Sequence, residues 1–238
     1  MVDEGSSENP PIPINTQELR RQRLEKHDKA TLVYTIFGLE ELNRLKDDLI
    51  THDSLIPDLY NLTGFEDAVS RDVARIRRSE TDSALIMFVD IDGFKGVNDN
   101  VGHDMGDKLL KDTGEIVKRN IRLTDVAARR SGDEFLIEAY NAKSEDVALI
   151  KMRIKEDYNK KVDSMLSGRV STSLSIGVAE IGDFPIEEED EKNGRKIKKV
   201  VGYRQLQRQE WEYYTDSQLL EFAIKVAEYK MYREKKRR

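Results

Sequence analysis

Residues 83–94 are SALIMFVDIDGF and residues 129–140 are RRSGDEFLIEAY, and these two stretches decide the fold. The unbroken apolar run from Ala84 to Val89 is typical of a β-strand that is buried on both faces. Val126 to Ala128 and Phe135 to Tyr140 predict two more strands, which are joined by a tight turn with the letters RSGD. The sequence therefore predicts a buried sheet that contains a hairpin.

Apolar residues spaced three and four apart predict amphipathic helices around these strands. The helices are expected at 64–78, 106–120, 144–166 and 219–236, and residues 171–181 alternate like a fourth strand. The order helix, strand, helix, strand, strand, helix, strand, helix indicates an α+β sandwich of the split βαβ kind.

Two segments are expected to lie outside this sandwich, which occupies 52–238. Residues 1–16 hold three of the five prolines and predict a disordered lead-in. Residues 17–51 predict a helical extension for dimerisation or signalling, whose apolar stripe packs either on the chain's own core or on a second copy. Residues 182–214 contain a charge block, EEEDEKNGRKIKK, and predict an exposed insertion with a hairpin at 197–205. The stripe consists of Leu32, Ile36, Leu39, Leu42, Leu45 and Leu49.

The composition excludes several classes of function. The chain has 40 Lys and Arg against 46 Asp and Glu, and a net charge of −6, which argues against a protein that coats DNA or RNA. It has no cysteine, which excludes disulfides, thiolate catalysis and cysteine zinc sites. Its apolar runs are far shorter than the ~20 residues of a membrane span, and its N-terminus lacks a signal-peptide pattern. We expect a cytoplasmic protein with no membrane partner.

Two acidic pairs are the first candidates for chemistry. Asp90 and Asp92 follow the buried strand and share one face of an extended chain, whereas Asp133 and Glu134 lie in the predicted turn. Each pair alone has an ordinary structural explanation, as a helix cap or as a turn dipeptide. Together, carboxylates from two strands offer the hard oxygen ligands that Mg²⁺ prefers, and Mg²⁺ also bridges substrate phosphates.

The stretch between the pairs is rich in glycine, which lets a backbone approach a ligand closely. Lys95 is a candidate for meeting a phosphate. Asn98 and Asp107 match the N1–H and N2–H₂ edge of guanine, although helix capping would explain both residues equally well. The glycines are Gly93, Gly96, Gly102 and Gly106.

The motifs in these stretches resemble one known family. DIDGFKGVND at 90–99, GH at 102–103 and GD at 106–107 resemble the central motif of GGDEF domains, and SGDEF at 131–135 resembles their signature. STSLSIGVA at 171–179 and the Ala227–Lys235 helix resemble later family motifs. The resemblance implies a nucleotidyl-cyclase palm-like fold, with a mainly antiparallel sheet flanked by helices and an N-terminal helical extension.

The resemblance also implies a diguanylate cyclase, in which a homodimer joins two GTP molecules into cyclic di-GMP and releases two pyrophosphates. Two Mg²⁺ (or Mn²⁺) ions per site would be held by Asp90, Asp133 and the Ile91 carbonyl, with Glu134 assisting. Substrate contacts are implied for several further residues, with Asn98 and Asp107 reading guanine and Lys95 also acting in catalysis. These residues are Gly93, Phe94, Lys95, Asn98, His103, Asp107 and Lys235.

Arg122-Leu123-Thr124-Asp125 resembles the RxxD inhibitory site of the family, where the product cyclic di-GMP restrains the dimer. Arginine is well suited to bind both phosphate and a guanine edge. Two alternatives to an active cyclase stay open. One is a non-catalytic cyclic di-GMP receptor that acts through Arg122 and Asp125, and the other is a cyclase with a different purine preference.

The chain departs from the family pattern at several places. Ser131 replaces the first glycine of the signature, which would cost ~1 kcal/mol if that position needs a positive φ. The upstream motif is changed, with Leu62 standing where arginine is usual. Arg237 or Arg238 would have to replace an arginine that the family carries beyond Lys235.

Overall fold

The domain has three layers, a central β-sheet between two layers of helices, and the strand that the apolar run predicted lies inside the sheet. A computed structural model describes residues 16–79, 82–192 and 195–237. In it, β1 is an inner strand of a four-stranded sheet with the order β2–β3–β1–β4, and every pairing is antiparallel. The strands are β1 (Ala84–Asp92), β2 (Val126–Ser131), β3 (Glu134–Tyr140) and β4 (Ser173–Glu180).

Helices cover both faces of this sheet, because β1 alternates its side chains between two apolar cores. Leu85, Met87 and Val89 pack in the core beneath α4 and α5, whereas Ile86 and Phe88 pack in the core beneath α2 and α6. Burying each such side chain contributes roughly 1.5–3 kcal/mol. The helices of the two layers are α2 (Leu62–Arg78), α4 (His103–Asn120), α5 (Ser144–Leu166) and α6 (Asp216–Lys235).

The glycine-rich stretch differs from the expectation, because it is helical. α3 (Phe94–Val101) was not predicted, and α4 begins three residues before the expected Gly106. The fully buried Val97 anchors α3 in the core, and Gly102, with a φ of 95°, separates the two helices. Gly96 and Gly106 therefore lie inside helices and not in a loop that wraps a ligand.

The insertion forms a longer hairpin than the one predicted at 197–205. It pairs β5 (Asp183–Lys192) with β6 (Arg195–Gln205) as a separate antiparallel two-stranded sheet, and a 3₁₀ helix (Arg208–Tyr213) follows. Acidic residues of β5 lie opposite basic residues of β6, as in the pairs Glu188–Lys199 and Glu189–Lys198. Opposite charges across strands stabilise a hairpin, which gives the charge block its structural role.

The chain divides into two units, 1–47 and 48–238, and α1 (Thr16–Thr51) crosses the boundary. Residues 1–15 of the predicted lead-in and the side chain of Leu32 lie outside the described residues, and Thr16 begins the helix. The other stripe residues of α1 are exposed, with Leu42 at 61%. Within the described part of the chain, every helix is too short or too polar to cross a membrane.

Candidate active site

Three carboxylates from two separate stretches of the sequence, Asp90 on β1 and the adjacent Asp133 and Glu134, meet at the end of β1. Asp90 is 7% exposed and lies directly opposite Glu134 in the pairing of β1 with β3. Asp133 occupies the turn before β3, and its carbonyl accepts a hydrogen bond from the Ile91 amide over 3.3 Å. The sheet register therefore brings together the acids that the sequence predicted.

Lys235 from α6 supplies the countercharge. Its Nζ lies 2.5 Å from Asp90 Oδ1 and 3.4 Å from Asp92 Oδ1, so both carboxylates face α6 as their spacing predicted. Burial alone would lower the pKa of Lys235, but these two ion pairs raise it above its usual value. Helix capping by Asp90 is wrong, because Gly93 occupies the cap position of α3 and no side chain caps that helix. The ion pair with Lys235 offsets the cost of burying the Asp90 carboxylate.

The side chain of Asp92 is hydrogen-bonded to the neighbouring strand, β4. Its carboxylate accepts hydrogen bonds from Ser173 Oγ at 2.7 Å and from Ser175 Oγ at 2.9 Å. Its backbone carbonyl accepts another from Thr172 Oγ1 at 2.7 Å. Asp92 thus fastens β1 to β4, and Asp90 and Asp133 are the carboxylates left to face a cation.

The electrostatics of Asp133 indicate a place for positive charge. Burial raises its pKa, the negative charges of Asp90 and Glu134 raise it further, and Lys235 opposes the shift. Among the described residues, no group of three or more His, Asp or Glu side chains makes a ready metal site. Two carboxylates suit Mg²⁺ nonetheless, because Mg²⁺ commonly takes one or two carboxylates and completes its shell with water and substrate phosphate.

Glu134 is oriented by two residues beside it. Arg130 Nη1 and Ser131 Oγ donate hydrogen bonds to Glu134 Oε2 at 2.8 and 2.9 Å. The Arg130 guanidinium also lies 5.2 Å above the centre of the Phe88 ring. Arg130 was not predicted as a site residue, although its position next to the SGDEF stretch was a usable signal.

Arg129 and Asp53, which precede the SGDEF turn in the sequence, stabilise the conformation of that turn. Gly132 adopts a φ of 47°, whereas the described non-glycine residues with positive φ are Asn141 and Ser167, so Ser131 carries no such strain. Arg129 Nε donates to the Gly132 carbonyl at 2.8 Å, and its Nη1 lies 3.3 Å from Asp53 Oδ1. The altered upstream motif therefore still supplies Asp53, which ties its own turn to the SGDEF turn.

The remaining predicted substrate residues lie on α3 and α4. Gly93 precedes α3 with a φ of 77°. In the first turn of α3, Phe94 is half-buried and Lys95 is exposed. A Cβ on Gly106 would stand 1.9 Å from Asn98 Oδ1, so any larger residue there would displace the Asn98 side chain. Helix capping does not explain Asn98 or Asp107, since Gly93 and Gly102 occupy the cap positions.

His103 and Asp107 are exposed and stand four residues apart on α4, which places them on one face. No polar contact joins them to the acids at the end of β1 among the described residues. The structure thus groups Asp90, Asp133, Glu134 and Lys235 directly, and it sets Asn98 and Asp107 on the adjoining helices.

Comparison with known proteins decides the family. The model of the family described as diguanylate cyclase, GGDEF domain, matches residues 50–192. The chain belongs to the GGDEF family. Its relatives include MucR of Pseudomonas aeruginosa, a bifunctional diguanylate cyclase/cyclic di-GMP phosphodiesterase, which is 32% identical over 142 residues that cover 60% of this chain and 20% of MucR.

Other relatives of this GGDEF domain carry different activities in their names. Diguanylate cyclase DosC of Escherichia coli is 28% identical over 176 residues, 72% of this chain and 38% of DosC. Cyclic di-GMP phosphodiesterase NbdA of P. aeruginosa is 28% identical over 165 residues, 69% of this chain and 20% of NbdA. The chain spans 20–38% of the length of the curated relatives it matches.

Solved structures share the GGDEF fold. The GGDEF domain of DgcB from Caulobacter crescentus, in complex with c-di-GMP, has a TM-score of 0.54 at 22% identity and covers 78% of this chain and 90% of that one. SiaD from P. aeruginosa, in complex with its activator SiaC, has a TM-score of 0.57 at 22% identity and covers 93% and 72%. The α+β fold with an antiparallel sheet between helices is therefore confirmed.

The RxxD stretch of this GGDEF domain forms a self-closed turn. The Arg122 amide donates to Asp125 Oδ2 at 2.8 Å, and the Asp125 amide donates to the Arg122 carbonyl at 3.1 Å. Asp125 is 6% exposed, and burial raises its pKa. Arg122 is exposed and lines a groove of about 430 Å³ together with Arg119, Asp146 and Arg153.

Proposed function

We propose that this protein is a diguanylate cyclase that condenses two GTP molecules into cyclic di-GMP and releases two pyrophosphates. The observation that carries the proposal is the cluster of Asp90, Asp133 and Glu134 at the end of β1, facing the ammonium group of Lys235. Acids from two strands and one cation at a single point suit phosphoryl transfer, which depends on positioning and charge neutralisation.

Asp90, Asp133 and the Ile91 carbonyl would hold two Mg²⁺ or Mn²⁺ ions. When bound, these ions supply charge neutralisation at the triphosphate and activation of the attacking oxygen. Lys235 stands beside the same carboxylates and would shift its ion pair to phosphate oxygens as substrate enters. Glu134, fixed by Arg130 and Ser131, would hold the 3′-hydroxyl or assist at the metal.

The residues on α3 and α4 would hold the nucleotide itself. Asn98, seated against Gly106, and Asp107 would read the guanine edge, which presents donors that a carboxylate and an amide oxygen can accept. Lys95, His103 and the backbone at Gly93 and Phe94 would contact the rest of the substrate. Asp107 favours guanine over adenine, which ranks a cyclase of different purine preference last.

Joining two bound nucleotides requires two GGDEF domains face to face, so the working form would be a cytoplasmic homodimer. The domain would span 52–238 with an insertion at 182–214, and residues 17–51 would form the dimerising helix. The exposed apolar side chains of α1, such as Phe37 and Leu42, supply a surface for that contact. Product binding near Arg122 would restrain the dimer.

The test is incubation with GTP and Mg²⁺, followed by mass spectrometry of the nucleotides. The wild type is expected to make cyclic di-GMP, and Asp133→Asn to lose about a hundredfold or more in rate, because the substitution removes a charge from the reacting centre. Asp163→Asn, on an exposed position of α5, is the matched control and should keep full activity. A folded wild type that makes no product at high concentration would refute the proposal.

A second candidate is a catalytically weak receptor for cyclic di-GMP. The arginine-lined groove beside Arg122 favours it, because this groove is separate from the Asp90 cluster. Calorimetric titration with cyclic di-GMP separates the two functions. If the protein is a receptor, the Asp133→Asn variant should bind cyclic di-GMP as well as the wild type does, and the Arg122→Ala variant should lose binding. The wild type should then show no turnover of GTP.

A further inference from the structure

A groove lies between the β5–β6 hairpin and α6, and we call it the hairpin groove. It has a volume of about 760 Å³, which is within the size range of small-molecule sites. None of the residues predicted for the active site or for the RxxD site lines it. Its lining residues are Glu187, Lys198, Lys199, Val200, Lys225, Glu228, Tyr229, Tyr232, Arg233 and Lys236.

The hairpin groove is basic in an acidic protein. Five of its lining residues are Lys or Arg and two are Glu, whereas the whole chain has a net charge of −6. Glu187 lies 3.1 Å from Lys225 and 3.8 Å from Lys198, so it offsets one positive charge, and the lining keeps more cations than acids. Arg233 and Lys236 are exposed on the α6 wall. The groove therefore favours an anionic ligand.

Its walls are fixed to each other. Tyr229 Oη donates to the Val201 carbonyl at 2.8 Å, and Lys230 from α6 lies 3.1 Å from Asp183 at the start of the hairpin. An edge-to-face contact between Phe184 and Phe222, with ring centres 4.9 Å apart, joins the same two elements. A groove with fixed walls loses little conformational entropy when a ligand binds.

Aromatic rings add a second kind of contact. Tyr229 and Tyr232 stand three residues apart on α6, and Tyr232 is 46% exposed. Arg233 Nη1 lies 3.3 Å from Tyr229 Oη, which places a guanidinium beside that ring. Exposed aromatic faces next to cations suit a ligand that carries both a base and phosphates.

The hairpin groove adjoins the candidate active site. Burial raises the pKa of Glu228, Arg130 opposes the shift and Glu134 adds to it, so the groove shares an electrostatic environment with the SGDEF turn. Lys236, on the groove wall, directly follows Lys235, which pairs with Asp90. A ligand in the groove would act on the charges around the acids without occupying their place.

We propose that the hairpin groove is a second nucleotide site, which binds a purine nucleoside polyphosphate through Lys198, Arg233 and Lys236 with its base on Tyr232. The three cations come from both walls, so binding requires the intact hairpin. The proposal does not depend on cyclase activity, because it concerns a surface outside the acid cluster.

The test is titration of the full chain with ATP and, separately, with inorganic tripolyphosphate, both in EDTA. Without a divalent ion the Asp90, Asp133 and Glu134 cluster repels a triphosphate. Substitutions in the hairpin groove then separate its contribution from that of the arginine-lined groove beside Arg122. The triple variant Lys198→Gln, Arg233→Gln, Lys236→Gln is expected to weaken ATP binding about tenfold. Tyr232→Leu should weaken ATP but not tripolyphosphate, and Tyr232→Phe should retain both.

The matched control neutralises three exposed cations elsewhere, Arg71→Gln, Lys118→Gln and Lys160→Gln, and leaves binding unchanged. An equal loss of ATP affinity in both triple variants would overturn the proposal, since the affinity would then depend on net charge alone. Absence of ATP binding to the wild type in EDTA, or tighter binding of an acidic peptide than of ATP, would also overturn it. A missing cyclase activity would leave each of these results unaffected.

Discussion

Glu138 shows how one residue couples this fold to pH. It lies on the inner strand β3, is fully buried, and neither carboxylate oxygen has a hydrogen-bond partner among the described residues. Asp72 and Arg75 face it from α2, and Asp125 faces it from the turn before β2. Burial, followed by the charges of Asp72 and Asp125, raises the pKa of Glu138 to about 8. The carboxyl is therefore neutral in the folded protein near neutral pH.

This shift predicts that alkaline conditions destabilise the protein. Between pH 4.5 and 8 the unfolded chain loses the Glu138 proton and the folded chain keeps it, so stability falls as pH rises through this window. Glu138→Gln removes that titration, and its stability relative to wild type should rise by roughly 3–5 kcal/mol from pH 5 to pH 8.5. Urea denaturation across pH measures the difference, and exposed Glu115→Gln is the control. A pH-independent difference would contradict the prediction.

The SGDEF turn gives a second prediction about single residues. The positive φ falls on Gly132, so Gly132→Ala should lower the free energy of unfolding by about 1 kcal/mol. Ser131→Ala loses only a part-exposed hydrogen bond to Glu134 and should cost under about 0.5 kcal/mol. Urea denaturation of both variants tests the order. The reverse order would mean that the strain lies at the serine.

Periodicity predicted the elements of this domain well where one face is buried. The strand from Ala84 and the helix from Ser144 to Leu166 follow directly from apolar spacing, and the structure has both. α3 was not predicted because it is only eight residues long and because Gly93, Gly96 and Gly102, in and beside it, favour a loop. The buried side chain of Val97 anchors it in the core. The hairpin strand that starts at Asp183 was missed because its charges mask the strand pattern until the partner strand neutralises them.

Arg77 of α2 binds three groups of the segment that follows the hairpin, and Arg208 of that segment donates back to the Ile76 carbonyl of α2 at 2.8 Å. Arg77 donates to the Trp211 and Tyr214 carbonyls at 2.6 and 2.8 Å, and its Nε lies 2.7 Å from Asp216 Oδ1. Arg77→Ala is expected to cost about 2 kcal/mol of stability, because it removes three hydrogen bonds, one of them to a carboxylate.

Arg77→Lys should recover less than half of that loss, since an ammonium group cannot reproduce the planar fork. Exposed Arg78→Ala is the neighbouring control and should change stability by less than about 0.5 kcal/mol. Thermal unfolding of the four proteins tests the set. Equal losses for Arg77→Ala and Arg78→Ala would show that charge, and not the fork, holds the segment.

The candidate site is a property of the whole domain, because its parts come from distant places in the sequence. Asp90, Asp133 and Glu134 could be placed together from hairpin topology and family resemblance. The resemblance also assigned Lys235 to the substrate, but its direct ion pair with Asp90 could not be predicted, since 145 residues separate the two and only the packing of α6 on the sheet joins them. Arg130 is only four residues from Glu134, but its contact depends on the β2–β3 turn, which brings the two side chains to the same side.

The proposed activity requires two chains, which makes it dependent on concentration. The α1 stripe includes Leu39 and Leu42, exposed by 54% and 61%, and burying these side chains in a dimer would stabilise it. Leu39→Glu with Leu42→Glu is expected to raise the dimer dissociation constant at least tenfold. Rate per chain at low concentration should fall in proportion and recover as concentration rises. Sedimentation equilibrium and the GTP assay measure both effects.

Arg44→Glu is the matched control for that experiment, because it makes the same change in net charge on α1 while leaving the leucines in place. Its exposed pair with Glu41 contributes little to stability, so its dimer constant should stay within about threefold of wild type. If the leucine variant dimerises normally, α1 is not the dimer contact. If it is monomeric yet fully active at every concentration, the two-domain mechanism itself is wrong, since a single domain holds only one of the two nucleotides that must react.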